Sequence, residues 1–132
     1  MKVQIVLEKA TGKVIAIFVG EGKIHDFNLF KQSNIHIVER IKVVCDSGYQ
    51  GIQNLHANSE TPKKKPRKGE LTAEDKLDNQ RIARFRITIE HINRRIKRFR
   101  MFAGRYRNRR KRFGLRISLI CGIHNFELGL CA

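Results

Sequence analysis

Two runs dominated by apolar and β-branched residues flank a polar stretch in "VQIVLEKATGKVIAIFVG", the composition of a pair of strands. This predicts a β-hairpin, Val3 to Leu7 and Val14 to Val19, turning around Thr11-Gly12. "HDFNLFKQS" predicts a short helix through Leu29 with Asp26 as its cap, because a carboxylate can accept the first free backbone N–H groups. "ERIKVVCDSGYQG" reads as a short apolar strand, Ile41 to Cys45, that stops at Asp46 and turns at Gly48 and Gly51. From Ile82 the pattern changes. Ile82, Phe85, Ile89, Ile92, Ile96 and Phe99 recur in alternating steps of three and four, one stripe of a helix. Thr72 is its expected N-cap, with Asp75 three residues on, and Gly104 its expected end. "LRISLICGIHNFELGL" predicts a last, mostly apolar helix despite Gly122 in its interior.

A chain of 132 residues suits one domain. Along it we expect strands and the Asp46 turn in 1–57, a basic loop in 58–71, a helix in 72–103, and a basic connection followed by the C-terminal helix in 104–132. The loop is expected because "SETPKKKPRKGE" combines two prolines with a block of cations. No internal repeat is present.

Charge narrows the partner. The net charge of +16 is large for this length, and such a field favours polyanions, nucleic acid first. Residues 1–62 carry seven Lys/Arg against six Asp/Glu, whereas residues 63–132 carry twenty-one against six, so the polyanion-facing surface is expected in the second half. Cys45, Cys121 and Cys131 are odd in number and widely spaced, which suggests neither a disulfide framework nor a zinc site and fits a reducing cytoplasm. No apolar run approaches the roughly 20 residues of a membrane span, and no membrane partner is expected.

Two acids stand out. On a helix advancing about 100° per residue, Arg86, Glu90 and Lys97 fall within about 40° of one another, at the edge of the isoleucine seam. Glu90 can be explained as an intrahelical partner of Arg86 or Arg94, each four residues away. Asp46 can be explained as a turn-forming residue bonded to the backbone two residues on. It also sits directly after an apolar strand, where α/β proteins assemble their sites. Taken together, the two carboxylates suit a hard divalent cation such as Mg²⁺, which takes few carboxylates and completes its shell with water and phosphate. The five histidines lack metal-ligand spacing, and "ATGK" lacks the other glycines of a phosphate loop.

These residues resemble the DDE transposases of bacterial insertion sequences. "VVCDSGYQGI" resembles the strand and turn carrying that family's second acid. "RFRITIEHINRRIKRF" resembles the helix carrying the third, with the signature of Arg, three residues, Glu, six residues and Lys filled by Arg86, Glu90 and Lys97. "RYRNRRKRFGLRISLICGIHNFEL" is similar to the family's C-terminal ending. Ala83 stands where some members have a tyrosine. The likeness runs through nearly the whole chain.

The resemblance implies an α/β class with an incomplete RNase H-like fold: a short mixed sheet, a long basic helix and a C-terminal helix. It implies Asp46 and Glu90 as catalytic metal ligands for Mg²⁺, with Mn²⁺ as an alternative. It implies DNA as the partner, transposon ends in particular. Arg86, Arg94 and Lys97 on the helix, Lys63, Lys64, Lys65, Arg67 and Lys68 in the loop, and Arg105, Arg107, Arg109, Arg110 and Arg112 in the connection are the expected DNA contacts. The family's first aspartate lies upstream of the segment equivalent to "VQIVLEK", and Asp26 is read as a cap rather than its substitute. The expectation is therefore a truncated or split transposase that binds DNA, cuts it inefficiently alone, and takes the first aspartate and a DNA-reading domain from an upstream fragment. Two other readings stay open: a non-catalytic basic protein that packages nucleic acid, for which arginine-rich helices suffice, and an inactive insertion-sequence remnant.

Overall fold

The computed structural model describes residues 1–100 and 110–130. The chain divides into two compact units, one of residues 1–22 and 88–132, the other of residues 23–87. The secondary structure is mixed α/β, with strands β1 (Lys2–Leu7), β2 (Val14–Gly20), β3 (Val43–Val44) and β4 (Ser59–Glu60), and helices α1 (Asp26–Ser33), α2 (Ala73–Lys97) and α3 (Phe113–Leu130). Helix α2 contributes its first turns to the second unit and its last turns to the first.

In the first unit β1 and β2 form the expected antiparallel hairpin, with Val3 opposite Val19 and Ile5 opposite Ile17. Gly12 at the turn has φ +72, a conformation open to glycine, and a Cβ there would approach Ile92 Cδ1 to 3.4 Å. The alternation places Val3, Ile5 and Leu7 of β1 against a core of Val14, Ile92, Ile96, Phe113, Ile117, Ile120 and Cys121. Polar side chains fix α3 to the hairpin. Asn125 accepts from the Val14 N–H and donates to the Val14 carbonyl, each at 2.8 Å, while the buried His124 imidazole lies 3.1 Å from the Gly12 carbonyl. Arg98 binds the Glu127 carboxylate at 2.5 and 2.6 Å, tying the chain just beyond α2 to α3. Gln4 is buried, yet among the described residues neither its side-chain nitrogen nor its oxygen has a hydrogen-bond partner.

In the second unit Leu29 and Phe30 of α1 are buried, as is Ile52, and the ring of Phe30 meets that of Tyr49 edge to face at 6.5 Å. β3 and β4 pair in parallel, Val43 with Ser59 and Val44 with Glu60. Glu60 receives Lys42 at 2.7 Å and Arg81 at 3.0 Å. Its carboxyl pKa is held low, chiefly by the Lys42 hydrogen bond. α2 begins as expected: the Asp75 N–H donates to Thr72 Oγ1 at 3.1 Å. The Asp75 carboxylate pairs with Lys63 and also reaches back to the Thr72 backbone, as the capping-box spacing expects, and these contacts, the Lys63 hydrogen bond first, hold its pKa low.

Several expectations change. In place of one short mixed sheet, the described residues hold two separate two-stranded sheets, one antiparallel and one parallel. The segment expected to be wholly loop from residue 58 begins with β4, because its backbone satisfies β3: the Val43 N–H donates to the Asn58 carbonyl and the Cys45 N–H to that of Glu60. α1 runs past Leu29 to Ser33, since Phe30 is also buried, and stops where Asn34 turns left-handed at φ 50. Asp26 is not its cap. His25 occupies that position without a side-chain bond, and Asp26 is the first helical residue. α2 ends at Lys97, six residues before the expected end, and Phe99 beyond it packs against the core. Gly104 lies outside the described residues.

Candidate active site

Asp46 follows β3 by two residues and caps a 3-10 turn, Ser47–Tyr49, with Oδ1 accepting the Gly48 N–H at 2.6 Å. The local turn role expected for an aspartate here is thus present. It uses one oxygen only. Oδ2 faces Arg86 Nη2 of α2 at 3.6 Å, and both side chains are part-exposed.

A second carboxylate belongs to this place. A Cβ built on Gly48 would lie 2.5 Å from Asp26 Oδ2 and 3.3 Å from Asp46 Oδ1, so the missing side chain of Gly48 leaves the space into which both acids project. Placing Asp26 in the first turn of α1 rather than at its cap is what turns its carboxylate here. Sequence reasoning missed this neighbour. The available signal was Gly48 itself, two residues after a strand-end aspartate.

The field around the pair is negative. Burial, and then the charge of Asp46, push the Cys45 thiol up to about 12. The Tyr49 hydroxyl is raised well above its ordinary value by burial first and then by Asp26, Cys45 and Asp46. Burial, the larger cause, disfavours charge of either sign; the smaller part, which comes from the Asp26 and Asp46 carboxylates, is the part that favours a cation. Two carboxylates offset by one arginine at 3.6 Å fit a hard divalent ion that draws its remaining ligands from water and phosphate. Among the described residues no group of three or more His, Cys, Asp or Glu side chains could hold a metal by themselves.

Glu90 lies in α2 as expected, and its side chain is exposed. The intrahelical pair expected with Arg86 or Arg94 does not form: among the described residues Glu90 has no ion pair, and Arg86 turns to Asp46. Arg94 and Lys97 lie in the same helix and are exposed. Lys63 is engaged within its own unit. Its ammonium pairs with Asp75, which raises its pKa, while its backbone N–H and carbonyl bind the Asn79 amide at 2.9 and 3.0 Å. Lys64, Lys65, Arg67 and Lys68 are exposed and have no acidic partner among the described residues. Arg112 is exposed at the end of the 3-10 turn Arg110–Arg112. Arg105, Arg107 and Arg109, and the side chain of Arg110, lie outside what is described.

A strand-end aspartate with an arginine on it, and an unpaired glutamate four residues beyond that arginine in the helix, are the elements on which comparison with known proteins bears. The family model described as DDE superfamily endonuclease matches residues 1–125. This chain belongs to that family. It is 48% identical over 132 residues, 100% of its own length, to a protein named "Probable transposase for insertion sequence element IS702" from Microchaete diplosiphon. The match takes in 48% of the relative, so the chain spans about half the length of the transposase it resembles. No solved structure matches. Among the described residues no helix is long and apolar enough to cross a membrane.

Proposed function

We propose that this chain is part of a transposase catalytic domain of RNase H-like type, which binds transposon-end DNA and takes part in metal-dependent strand cleavage and transfer. Asp46 and Glu90 are the metal-ligating carboxylates, and Asp26 adds a third at the Asp46 end. The observation that carries this reading is the meeting of Asp26 and Asp46 over Gly48, in a negative field with Arg86 at 3.6 Å, within a member of the endonuclease family. A basic protein that only coats nucleic acid has no use for paired carboxylates beside its cations.

These carboxylates would hold Mg²⁺ or Mn²⁺, which would supply Lewis-acid stabilisation of the charge that develops on a reacting phosphodiester. Asp46 holds its geometry through the Gly48 N–H, and its Oδ2, which faces Arg86, is the oxygen that would be offered to the ion. Arg86, Arg94 and Lys97 hold the strand near the metal. Lys64, Lys65, Arg67 and Lys68, with Arg105, Arg107, Arg109, Arg110 and Arg112, bind phosphates farther away. Such contacts position DNA without reading its sequence.

An upstream fragment supplies the family's first aspartate and the DNA-reading domain. The test is a supercoiled-plasmid nicking assay with Mg²⁺ or Mn²⁺, using this chain alone and with the upstream half of a full-length relative. DNA binding without efficient nicking is expected from the chain alone, with nicking gained on addition of the fragment and lost in Glu90→Ala and Asp46→Asn. Nicking that survives both substitutions would overturn the assignment.

A further inference from the structure

Helix α3 buries one face and leaves the other bare. Phe113, Ile117, Ile120, Cys121 and His124 face the core of the first unit. On the opposite face Leu115, Leu119, Ile123, Phe126 and Leu130 recur in steps of four, four, three and four, with between 37% and 73% of their surfaces exposed. Ser118, Gly122 and Gly129 complete this face. The stripe itself carries no charge, although the chain has 28 Lys and Arg; the part-exposed Arg116 and Glu127 border it on the Ile123 side. Solvated helix faces carry polar or charged residues, so an uncharged stripe of large apolar side chains marks a surface made to be covered.

The glycines say how closely. Gly in a helix interior is destabilising relative to Ala. A Cβ on Gly122 would meet nothing within 4 Å, so packing within the chain does not demand glycine there. The absence of a side chain leaves room there for another helix to approach closely.

The stripe is also nearly its own mirror. Its midpoint falls between Gly122 and Ile123, so an antiparallel copy would set Leu115 against Leu130 and Leu119 against Phe126. At roughly 150–200 Å² for each fully exposed large side chain, the five leave about 500–600 Å² on each copy. Two copies would bury about 1,100 Å², just above the ~1,000 Å² expected of a specific interface.

We propose that two copies of this chain associate through this face of α3, as an antiparallel two-fold helix pair crossing at Gly122. The contact is apolar while each copy carries +16, so association strengthens as salt screens the repulsion. DNA binding, driven by charge, weakens over the same range. The inference does not depend on the catalytic reading.

Sedimentation equilibrium of the full 132-residue chain, without DNA or metal, tests it. A monomer–dimer equilibrium is expected that tightens between about 0.1 and 1 M NaCl, where the screening length falls from about 10 to 3 Å. Leu119→Glu combined with Phe126→Glu should leave a monomer with an unchanged circular dichroism spectrum. Gly122→Leu adds apolar surface yet should weaken the dimer about tenfold by blocking close approach. Should the double variant misfold, Leu115→Gln with Leu130→Gln supplies the same readout, again about a tenfold loss. A wild-type monomer at every salt and concentration overturns the proposal. So does open-ended aggregation, a dimer indifferent to these changes, or one tightened by Gly122→Leu.

Discussion

The Arg86 guanidinium lies 3.6 Å from Asp46 Oδ2, across from the oxygen that accepts the Gly48 N–H at 2.6 Å. Both side chains are part-exposed, and such pairs contribute about 1 kcal/mol or less. Arg86 is therefore better understood as a stand-in at the carboxylate than as a strut. Removing it should lower stability by under ~1 kcal/mol. It should also free Asp46 for a cation, and Arg86→Ala is expected to tighten Mn²⁺ binding several-fold, measured by calorimetric titration without DNA. Weaker Mn²⁺ binding would show that Arg86 organises the site rather than competing for it.

Gly48→Ala probes the two acids from between them. The added methyl would stand 2.5 Å from Asp26 Oδ2, a distance no real contact sustains, so the Asp26 carboxylate must swing away. Short side chains at a part-exposed turn can do this at modest cost, and a loss of about 1 kcal/mol in thermal stability is expected. If Asp26 ligates the ion as proposed, Mn²⁺ affinity should fall about tenfold, as it should in Asp26→Asn, because the first moves the carboxylate away and the second removes its negative charge. Equal Mn²⁺ affinity in Gly48→Ala and wild type would separate Asp26 from the metal.

How much of this was legible in the sequence depended on whether the determining contacts were local. The hairpin followed from two β-rich runs on either side of the Thr11-Gly12 turn, α2 from its three- and four-residue steps, and the Thr72 cap from its neighbour Asp75; all are set by residues close in the chain. β4 was not legible, because two residues paired in parallel carry no period of their own. Neither was the meeting of Asp26 with Asp46. It depends on which side of α1 faces the Ser47–Tyr49 turn, and a strand-end aspartate reveals its own position but not its neighbour's. Lys63 shows the same limit among the cations. In sequence it is one of a uniform block, yet in the fold it closes onto Asp75 and Asn79.

The Cys45 thiol reports on the same field. Its pKa rises from an ordinary value near 9 to about 12, through burial first and the Asp46 charge second. Since the thiolate is the reactive form, alkylation by iodoacetamide at pH 8 should be far slower at Cys45 than in the denatured chain, as read by mass spectrometry. The raised value also has a linkage consequence. The unfolded thiol ionises near pH 9 while the folded one does not, so this contribution to stability is whole below pH 9 and is lost as pH rises from 9 to about 12. Asp46→Asn removes only the smaller cause and should leave Cys45 slow to react.

Gln4 offers a check on the hairpin unit. It is buried, and its two side-chain polar atoms have no partner among the described residues, so each forfeits hydration. Such a group typically costs about 1–3 kcal/mol, and an apolar side chain of similar volume avoids that loss. Gln4→Met is therefore expected to raise the urea midpoint by the equivalent of about 1 kcal/mol or more with an unchanged m-value. A lower midpoint would mean that the amide contributes more to the native state than its missing partners imply.

The cations of the basic loop can be sorted by their partners. Each lysine or arginine that replaces a counterion on duplex DNA contributes about 0.9 to the slope of log affinity against log salt. Lys64, Lys65, Arg67 and Lys68 have no acidic partner among the described residues, and replacing all four with alanine should reduce that slope by about 3 to 4. Lys63 is different. Its ammonium already holds Asp75, and its backbone is clamped by Asn79. Binding a phosphate would require Lys63 to give up an acid that sits in the first turn of α2. Lys63→Ala should change the slope by less than about 1, with its effect appearing instead as easier fraying at the start of α2 in hydrogen exchange. Titrating labelled duplex DNA at several salt concentrations gives all three slopes. Equal shifts per residue for Lys63 and the other four would show that the Asp75 pair opens when DNA binds.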